Sequence, residues 1–134
     1  AVDHFRSAVD AKNREDAPAD WGRRQTALGD ALLELGKRLN NSEWLYDAEA
    51  AFRQGLAALS AEEDPLHVAA CQHKLGDTLL QIGARDGDRE MLLESAEVFS
   101  EALQTFEALE DQALAERTKA ALGSLQDMLE DRDS

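Results

Sequence analysis

The dipeptide Leu-Gly recurs in this chain at a constant interval of 47 residues. It occurs at Leu28-Gly29, at Leu75-Gly76 and at Leu122-Gly123. Self-similarity at a fixed period of about 20 to 50 residues is typical of stacked repeat proteins, so the chain is predicted to be an array of similar units. The same interval relates further pairs: Pro18 and Pro65, Asp30 and Asp77, Gly36 and Gly83, Leu45 and Leu92, Phe52 and Phe99, and Leu56 and Leu103.

Unit boundaries follow from the same interval. Counted backwards, it places Phe5 and Val9 in the same sequence element as Phe52 and Leu56. We therefore expect a single repeat domain, and because it opens on a second-helix element, we expect a fragment of a longer array. Residues 1–16 would be the second helix of a truncated unit, residues 17–63 and 64–110 two full units, and residues 111–134 the first helix of a third unit or a C-terminal cap.

The composition predicts an all-α fold. Strong helix formers dominate, and the chain has only two prolines to interrupt them. In the first helix of a unit, Leu28, Leu32 and Leu35 recur at helical spacing and are predicted to form a buried face. Gly36 is predicted to end that helix or to lie inside a longer one, and Ser42 is a plausible N-cap of the second helix. The second helix carries its own apolar stripe: Leu45, Ala48, Phe52, Gly55, Leu56 and Leu59.

Two glycines lie in the middle of predicted helices, at Gly29 and Gly76. A glycine there costs about 1 kcal/mol relative to alanine, so its repetition indicates a repeated benefit. We expect close approach of the second helix, with Ala48, Gly55 and Ala102 as the matching small residues.

A helix pair with Leu-Gly in its first helix and Ala-x3-Phe-x3-Leu in its second resembles the tetratricopeptide repeat. The resemblance covers nearly the whole chain and implies a right-handed α-solenoid of stacked antiparallel helix pairs, with about six helices. It rests on Leu28, Gly29, Leu32, Ala48, Phe52 and Leu56 in one unit, on Leu75, Gly76, Leu79, Ser95, Phe99 and Leu103 in the next, and on Leu122 and Gly123 in a third.

Two features depart from that family. The interval exceeds the usual period of about 34 residues, and we assign the extra length to the loop from Gly36 to Ala48 and to the stretch before Pro65. The family's tryptophan is replaced by Gln25 and Gln72. The chain thus looks like a long-period subtype found mostly in large bacterial multi-repeat proteins.

The charge balance narrows the classes of partner. The formal net charge is −14, which repels nucleic acids and anionic membranes. It favours a basic partner, or it only keeps the protein in solution. The single cysteine, Cys71, excludes an internal disulfide and fits a reducing cytoplasmic location, and no apolar run reaches the roughly 18 residues of a membrane span.

The resemblance implies that first helices line a concave groove. A clamp for chaperone C-terminal tails needs Lys, Arg and Asn there, and this chain lacks it. Asp30 and Asp77 would instead favour a ligand with Lys or Arg. The groove positions are Arg23, Thr26, Asp30, Leu33 and Glu34 in the first full unit, Ala70, His73, Asp77, Leu80 and Gln81 in the second, and Arg117, Ala120, Ser124, Asp127 and Met128 in the third.

The sequence contains no motif that indicates catalysis. His73 and Asp77 have a spacing that can hold a metal, but no second ligand pair lies nearby, so we expect a structural or solvated histidine, no metal and no cofactor. Cys71 is expected in the core, and Asp86 or Asp88 to start a helix. The sequence predicts a non-catalytic scaffold that binds a protein or peptide. The alternative is self-association through exposed terminal helices, with Val2, Phe5 and Val9 as the apolar stripe.

Overall fold

The computed structural model describes residues 10–133 of the chain, and their side chains up to residue 131. This part of the chain is helical and contains no strand, which confirms the all-α prediction. Residues 10–16 are helical and are called α1. The later helices are α2 (Pro18–Leu39), α3 (Ser42–Ala58), α4 (Pro65–Asp86), α5 (Arg89–Ala108) and α6 (Gln112–Asp133).

The helix boundaries repeat with the sequence. Pro18 and Pro65 each stand in the first turn of their helix, where the missing N–H needs no partner. Asn40 and Gly87, also 47 residues apart, end α2 and α4 in the left-handed conformation with φ of 51° and 66°. A repeated stop signal therefore gives α2 and α4 the same length.

The connection between α2 and α3 is shorter than expected. Only Asn40 and Asn41 lie between them, so the extra residues expected between Gly36 and Ala48 lengthen α2 and α3. In the second stretch of expected extra length, from Leu56 to Pro65, residues 59–64 are a connection outside the helices. The N-cap of α3 is Asn41, whose side chain accepts a hydrogen bond from the Glu43 amide at 2.8 Å, and not Ser42 as predicted. Asp88 caps α5 as one of the two expected residues, accepting from the Met91 amide at 3.3 Å.

Glycines on α2 form seats for side chains of α3. A Cβ at Gly29 would lie 2.7 Å from the Phe52 ring, and one at Gly36 would lie 2.6 Å from Leu45. Because Gly22 faces Leu59 near the other end of α3, the two helices are antiparallel. Gly36 thus lies inside the longer helix, which was one of its two predicted positions.

The pair α4–α5 repeats this arrangement. A Cβ at Gly76 would lie 2.9 Å from the Phe99 ring. The buried Ser95 hydroxyl donates a hydrogen bond to the Gly76 carbonyl at 2.6 Å. The predicted close approach is therefore present, but a phenylalanine ring occupies the space above each glycine, where we had expected only small residues.

The third Leu-Gly has no such neighbour. Around a Cβ built at Gly123, no other part of the described chain comes within 4 Å beyond the helix's own adjacent backbone. The helix α6 instead packs on α5 with its opposite side, where Leu125 is fully buried beside Leu92 and Phe99. The face of α6 that carries Gly123 is open.

One core cluster joins α2, α3 and α4. Leu33, Phe52 and Leu75 lie in it, together with Cys71, which is fully buried as predicted. The predicted core stripe of α2 is wrong at Leu28 and Leu35, which are 49% and 39% exposed. No described helix is both long enough and apolar enough to cross a membrane. The predicted terminal stripe of Val2, Phe5 and Val9 lies outside the described residues.

Candidate protein-interaction surface

Four of the predicted groove positions on α2 and α4 contact side chains of the neighbouring unit. These contacts tie α2 to α4 and to the turn before it, with partners 40 to 45 positions apart in the chain. They therefore act as cross-links between consecutive units. The ties are Arg23 Nη1 to Asp64 at 3.0 Å, Thr26 Oγ1 to Cys71 Sγ at 3.5 Å, Lys74 Nζ to Asp30 at 2.6 Å, and Lys37 Nζ to Asp77 at 2.7 Å.

Asp30 and Asp77 were expected to attract a basic ligand. The Asp30 carboxylate already pairs with Lys74, and the Asp77 carboxylate pairs with Lys37. Asp77 also accepts a hydrogen bond from the Gln81 side chain at 3.2 Å. A lysine or arginine of a ligand would have to displace these partners, so the two aspartates offer little net attraction to a basic segment.

Two other groove positions are not open to a partner. The Leu33 side chain is 2% exposed and belongs to the core. The Thr26 hydroxyl is half-buried and donates to the Gly22 carbonyl at 3.0 Å within its own helix. The expected contact of a ligand with Leu33 is therefore wrong, because the helix turns this side chain toward Phe52 and Leu75.

The other groove positions differ in exposure. Glu34 on α2 and Arg117 on α6 are exposed, whereas Ala70 on α4 is half-buried. Leu80 is half-buried and packs toward Leu92 and Phe99. In the third unit the exposed positions are Ala120, Ser124 and Asp127, while Met128 packs on the same cluster as Leu80.

His73, one of the predicted groove positions, is half-buried and contacts α5 and α6. Its Nδ1 lies 2.9 Å from the Thr118 hydroxyl of α6, and its ring meets the edge of Phe99 at a centroid distance of 5.3 Å. Burial lowers the pKa of His73 below its usual 6.5, with a smaller opposing effect of the Asp77 carboxylate and smaller lowering effects of nearby cations. Within residues 10–131, no group of three or more metal-binding side chains occurs.

The lowered pKa of His73 predicts a loss of stability in mild acid. The unfolded chain binds a proton at His73 more readily than the folded chain does. The contribution of His73 should therefore leave the free energy of unfolding unchanged above about pH 6.5 and lower it as the pH falls below that value. Urea unfolding at pH 7 and pH 5 should show a smaller pH effect in His73→Thr, which copies the equivalent Thr26. An unchanged pH effect in that variant would contradict this role.

An open apolar stripe on α2 was missed from the sequence. Leu28, Leu35 and Leu39 are 49%, 39% and 59% exposed and recur at helical spacing along one side of α2. We call these three residues the leucine stripe. At the equivalent positions of α4, Leu75 is 2% exposed and Ile82 is fully buried. The 47-residue repeat could have indicated this difference in exposure. The α4 residues are buried by α3, which is the second helix of the preceding unit, and α2 is the first helix of the first full unit.

Two arginines accompany the leucine stripe. Arg24 lies one turn before Leu28, and Arg38 lies one turn after Glu34, near the end of α2; both are exposed. No ion pair to either arginine occurs within the described chain. The stripe is therefore an apolar surface accompanied by free positive charge, in a protein whose formal net charge is −14.

No family model matches the chain, and no curated protein or solved structure matches it either.

Proposed function

We propose that this protein is a non-catalytic scaffold that binds an α-helix of a partner protein. The all-helical repeat supports it, since stacked helix pairs present extended surfaces to polypeptide ligands. The antiparallel pairs α2–α3 and α4–α5, each with a phenylalanine seated on a glycine, also support a solenoid of the tetratricopeptide type, although the period is longer than in that family.

One observation carries the proposal, namely the open leucine stripe of α2. The fold uses the corresponding face of α4 to hold a helix, because Leu75 and Ile82 lie buried in the cluster that contains Phe52 of α3. The same face of α2 has leucines at the equivalent positions and remains exposed. A surface built to receive a helix, with none of the described helices covering it, is a docking site.

The proposed absence of catalysis is supported by the burial of Cys71. Burial raises the pKa of this thiol, although the Thr26 hydroxyl and Lys74 act in the other direction. A buried neutral thiol is a poor nucleophile. A lone buried cysteine also fits the reducing cytoplasm, which we propose as the location.

Self-association is the second candidate function. The leucine stripe is an exposed apolar surface that a second copy can cover, and within the described chain no neighbour covers the Gly123 face of α6. Three leucines are a small part of the roughly 800 Å² per partner that a stable interface buries. The area therefore favours a single docked helix over a stable dimer.

The experiment uses the helix that the fold itself docks. A fluorescently labelled, end-capped peptide of residues 42–58 reproduces α3, which packs against the equivalent face of α4. We expect it to bind the intact protein weakly, in the micromolar to millimolar range, by fluorescence anisotropy. Leu28→Lys with Leu35→Lys should weaken binding by more than about tenfold, because both apolar contacts are lost and two lysines are desolvated.

The matched control is Leu93→Lys with Leu109→Lys. These leucines are 45% and 42% exposed and belong to α5 and its C-terminal end, so they add the same two charges away from the stripe. The control should bind the peptide as the natural chain does. Equal weakening in both double variants, or no binding by the natural chain, would contradict the proposal. Self-association would be favoured if sedimentation shows a dimer for the natural chain and for the control, and a monomer for Leu28→Lys with Leu35→Lys.

A further inference from the structure

Arg24 occupies a position that is buried in the neighbouring unit. The equivalent residue of α4 is Cys71, which is fully buried, with its Sγ 3.5 Å from the Phe52 carbonyl oxygen of α3. A helix that covers α2 as α3 covers α4 would therefore also cover the Arg24 guanidinium. A cation removed from water needs an anionic partner, because its desolvation is otherwise uncompensated.

Arg38 has a counterpart that reaches the preceding unit. The equivalent Arg85 on α4 donates through Nη2 to the Asn40 carbonyl in the turn before α3, at 2.6 Å. By the same register, a partner docked on α2 as α3 and its preceding turn are docked on α4 would bring a hydrogen-bond acceptor to Arg38. The two arginines therefore lie toward opposite ends of the leucine stripe, one near its start and one near its end.

The described residues supply no ion pair for these two arginines. On α2, Asp20 pairs with Arg23, Asp30 pairs with Lys74, and Glu34 is exposed. On α1, the Arg14 guanidinium lies 4.9 Å from the Trp21 ring, and the Asp10 carboxylate accepts a hydrogen bond from the Trp21 indole N–H at 2.7 Å. The other charged side chains of α1 are also exposed, namely Lys12, Glu15 and Asp16. The charges around the stripe are therefore mixed, and Arg24 and Arg38 are the cations beside it that have no ion pair within the described chain.

We infer that the partner helix is acidic, with an apolar spine for the leucine stripe and carboxylates placed beside Arg24 and Arg38. This inference rests on the proposed function and names the chemistry of the same site. It differs from the basic ligand expected from the net charge and from Asp30 and Asp77, because the carboxylates of these two residues pair with Lys74 and Lys37. Carboxylate and guanidinium form charge-assisted, often bidentate hydrogen bonds, which also fix the register of the helix.

The test compares two peptides on the natural chain. The first is the peptide of residues 42–58, whose acidic side chains are Glu43, Asp47 and Glu49. The second replaces them with Gln, Asn and Gln, which keeps the size and the apolar spine. We expect the acidic peptide to bind about three to ten times more tightly at about 0.15 M salt, where the net charge of −14 is largely screened beyond about 8 Å but direct carboxylate–guanidinium contacts persist. The difference should shrink as the salt concentration is raised further.

The protein variant is Arg24→Gln with Arg38→Gln, and the matched control is Arg117→Gln, which removes an exposed cation from α6. The variant should lose the preference for the acidic peptide, and the control should retain it. Equal binding of both peptides to the natural chain would overturn this inference and leave the proposed function intact. Binding of neither peptide would overturn the proposed function and the inference with it.

Residues 1–9 offer one competing occupant, because Phe5 belongs to the same sequence element as Phe52. Phe5→Lys in the full chain should leave the affinity for the acidic peptide unchanged. Tighter peptide binding by Phe5→Lys would show that the chain's own segment competes for the stripe. That result would overturn the assignment of the stripe to a partner's acidic helix.

Discussion

Replacement of Phe99 by alanine is expected to lower the free energy of unfolding by about 3–5 kcal/mol. The ring is fully buried, lies on Gly76 and meets the edge of His73. It also belongs to the cluster with Leu92 and Leu125 that joins α5 to α6. Its removal therefore opens a cavity where α4, α5 and α6 meet, and chemical unfolding followed by circular dichroism would measure the loss.

A double-mutant cycle with Gly76→Ala tests whether the ring and the glycine form one unit. In the natural chain the new methyl group would meet three atoms of the Phe99 ring at 2.9 to 3.0 Å, so Gly76→Ala should be destabilising. In Phe99→Ala the methyl group enters the cavity, and the same change should become neutral or stabilising. Additive effects in the double variant would show that the Phe99 ring and Gly76 do not interact directly, which would contradict this packing.

Alanine substitution should have opposite effects at Gly29 and Gly123, although both belong to the repeated Leu-Gly. Gly29→Ala places a methyl group 2.7 Å from the rigid Phe52 ring, for a net loss of about 1–2 kcal/mol after the gain in helix propensity. Gly123→Ala meets open space and should stabilise the protein by about 0.5–1 kcal/mol.

Thermal and urea unfolding of the two variants would measure this contrast in sign. Both changes remove a glycine from the interior of a helix, so each serves as the control for helix propensity in the other. Destabilisation of the isolated protein by Gly123→Ala would show that another helix covers this face of α6. Stabilisation by Gly29→Ala would show that Phe52 moves away at little cost.

The seated glycines were the strongest prediction from sequence. A glycine inside a helix lowers helix stability, so its presence at the same position of α2 and α4 indicated a compensating interaction. That interaction is close contact with a second helix. The identity of the contact was less predictable, because one-dimensional spacing does not tell which side chain of α3 enters the space above Gly29. In the structure it is Phe52.

The candidate groove was predicted less well. Positions such as Asp30 and Asp77 were assigned by resemblance, and their partners Lys74 and Lys37 lie about 40 residues away in sequence. A pairing over that distance depends on the rotation of α2 against α4. Leu33 was predicted to face the groove but lies in the core, for a similar reason. A rotation of the helix by a few tens of degrees is enough to turn a groove residue into a core residue.

The sequence alone determined the helical class, the repeat interval, the proline starts and the need for close packing at Gly29 and Gly76. These properties depend on local backbone energetics and on residue spacing within one helix, and both can be read from the sequence. Only the tertiary structure decided which apolar faces are covered. Leu28 and Leu75 are the same residue in the same motif, yet one is half exposed and the other is buried by α3. Burial depends on a neighbour supplied by a different part of the chain, so identical sequence patterns have different environments.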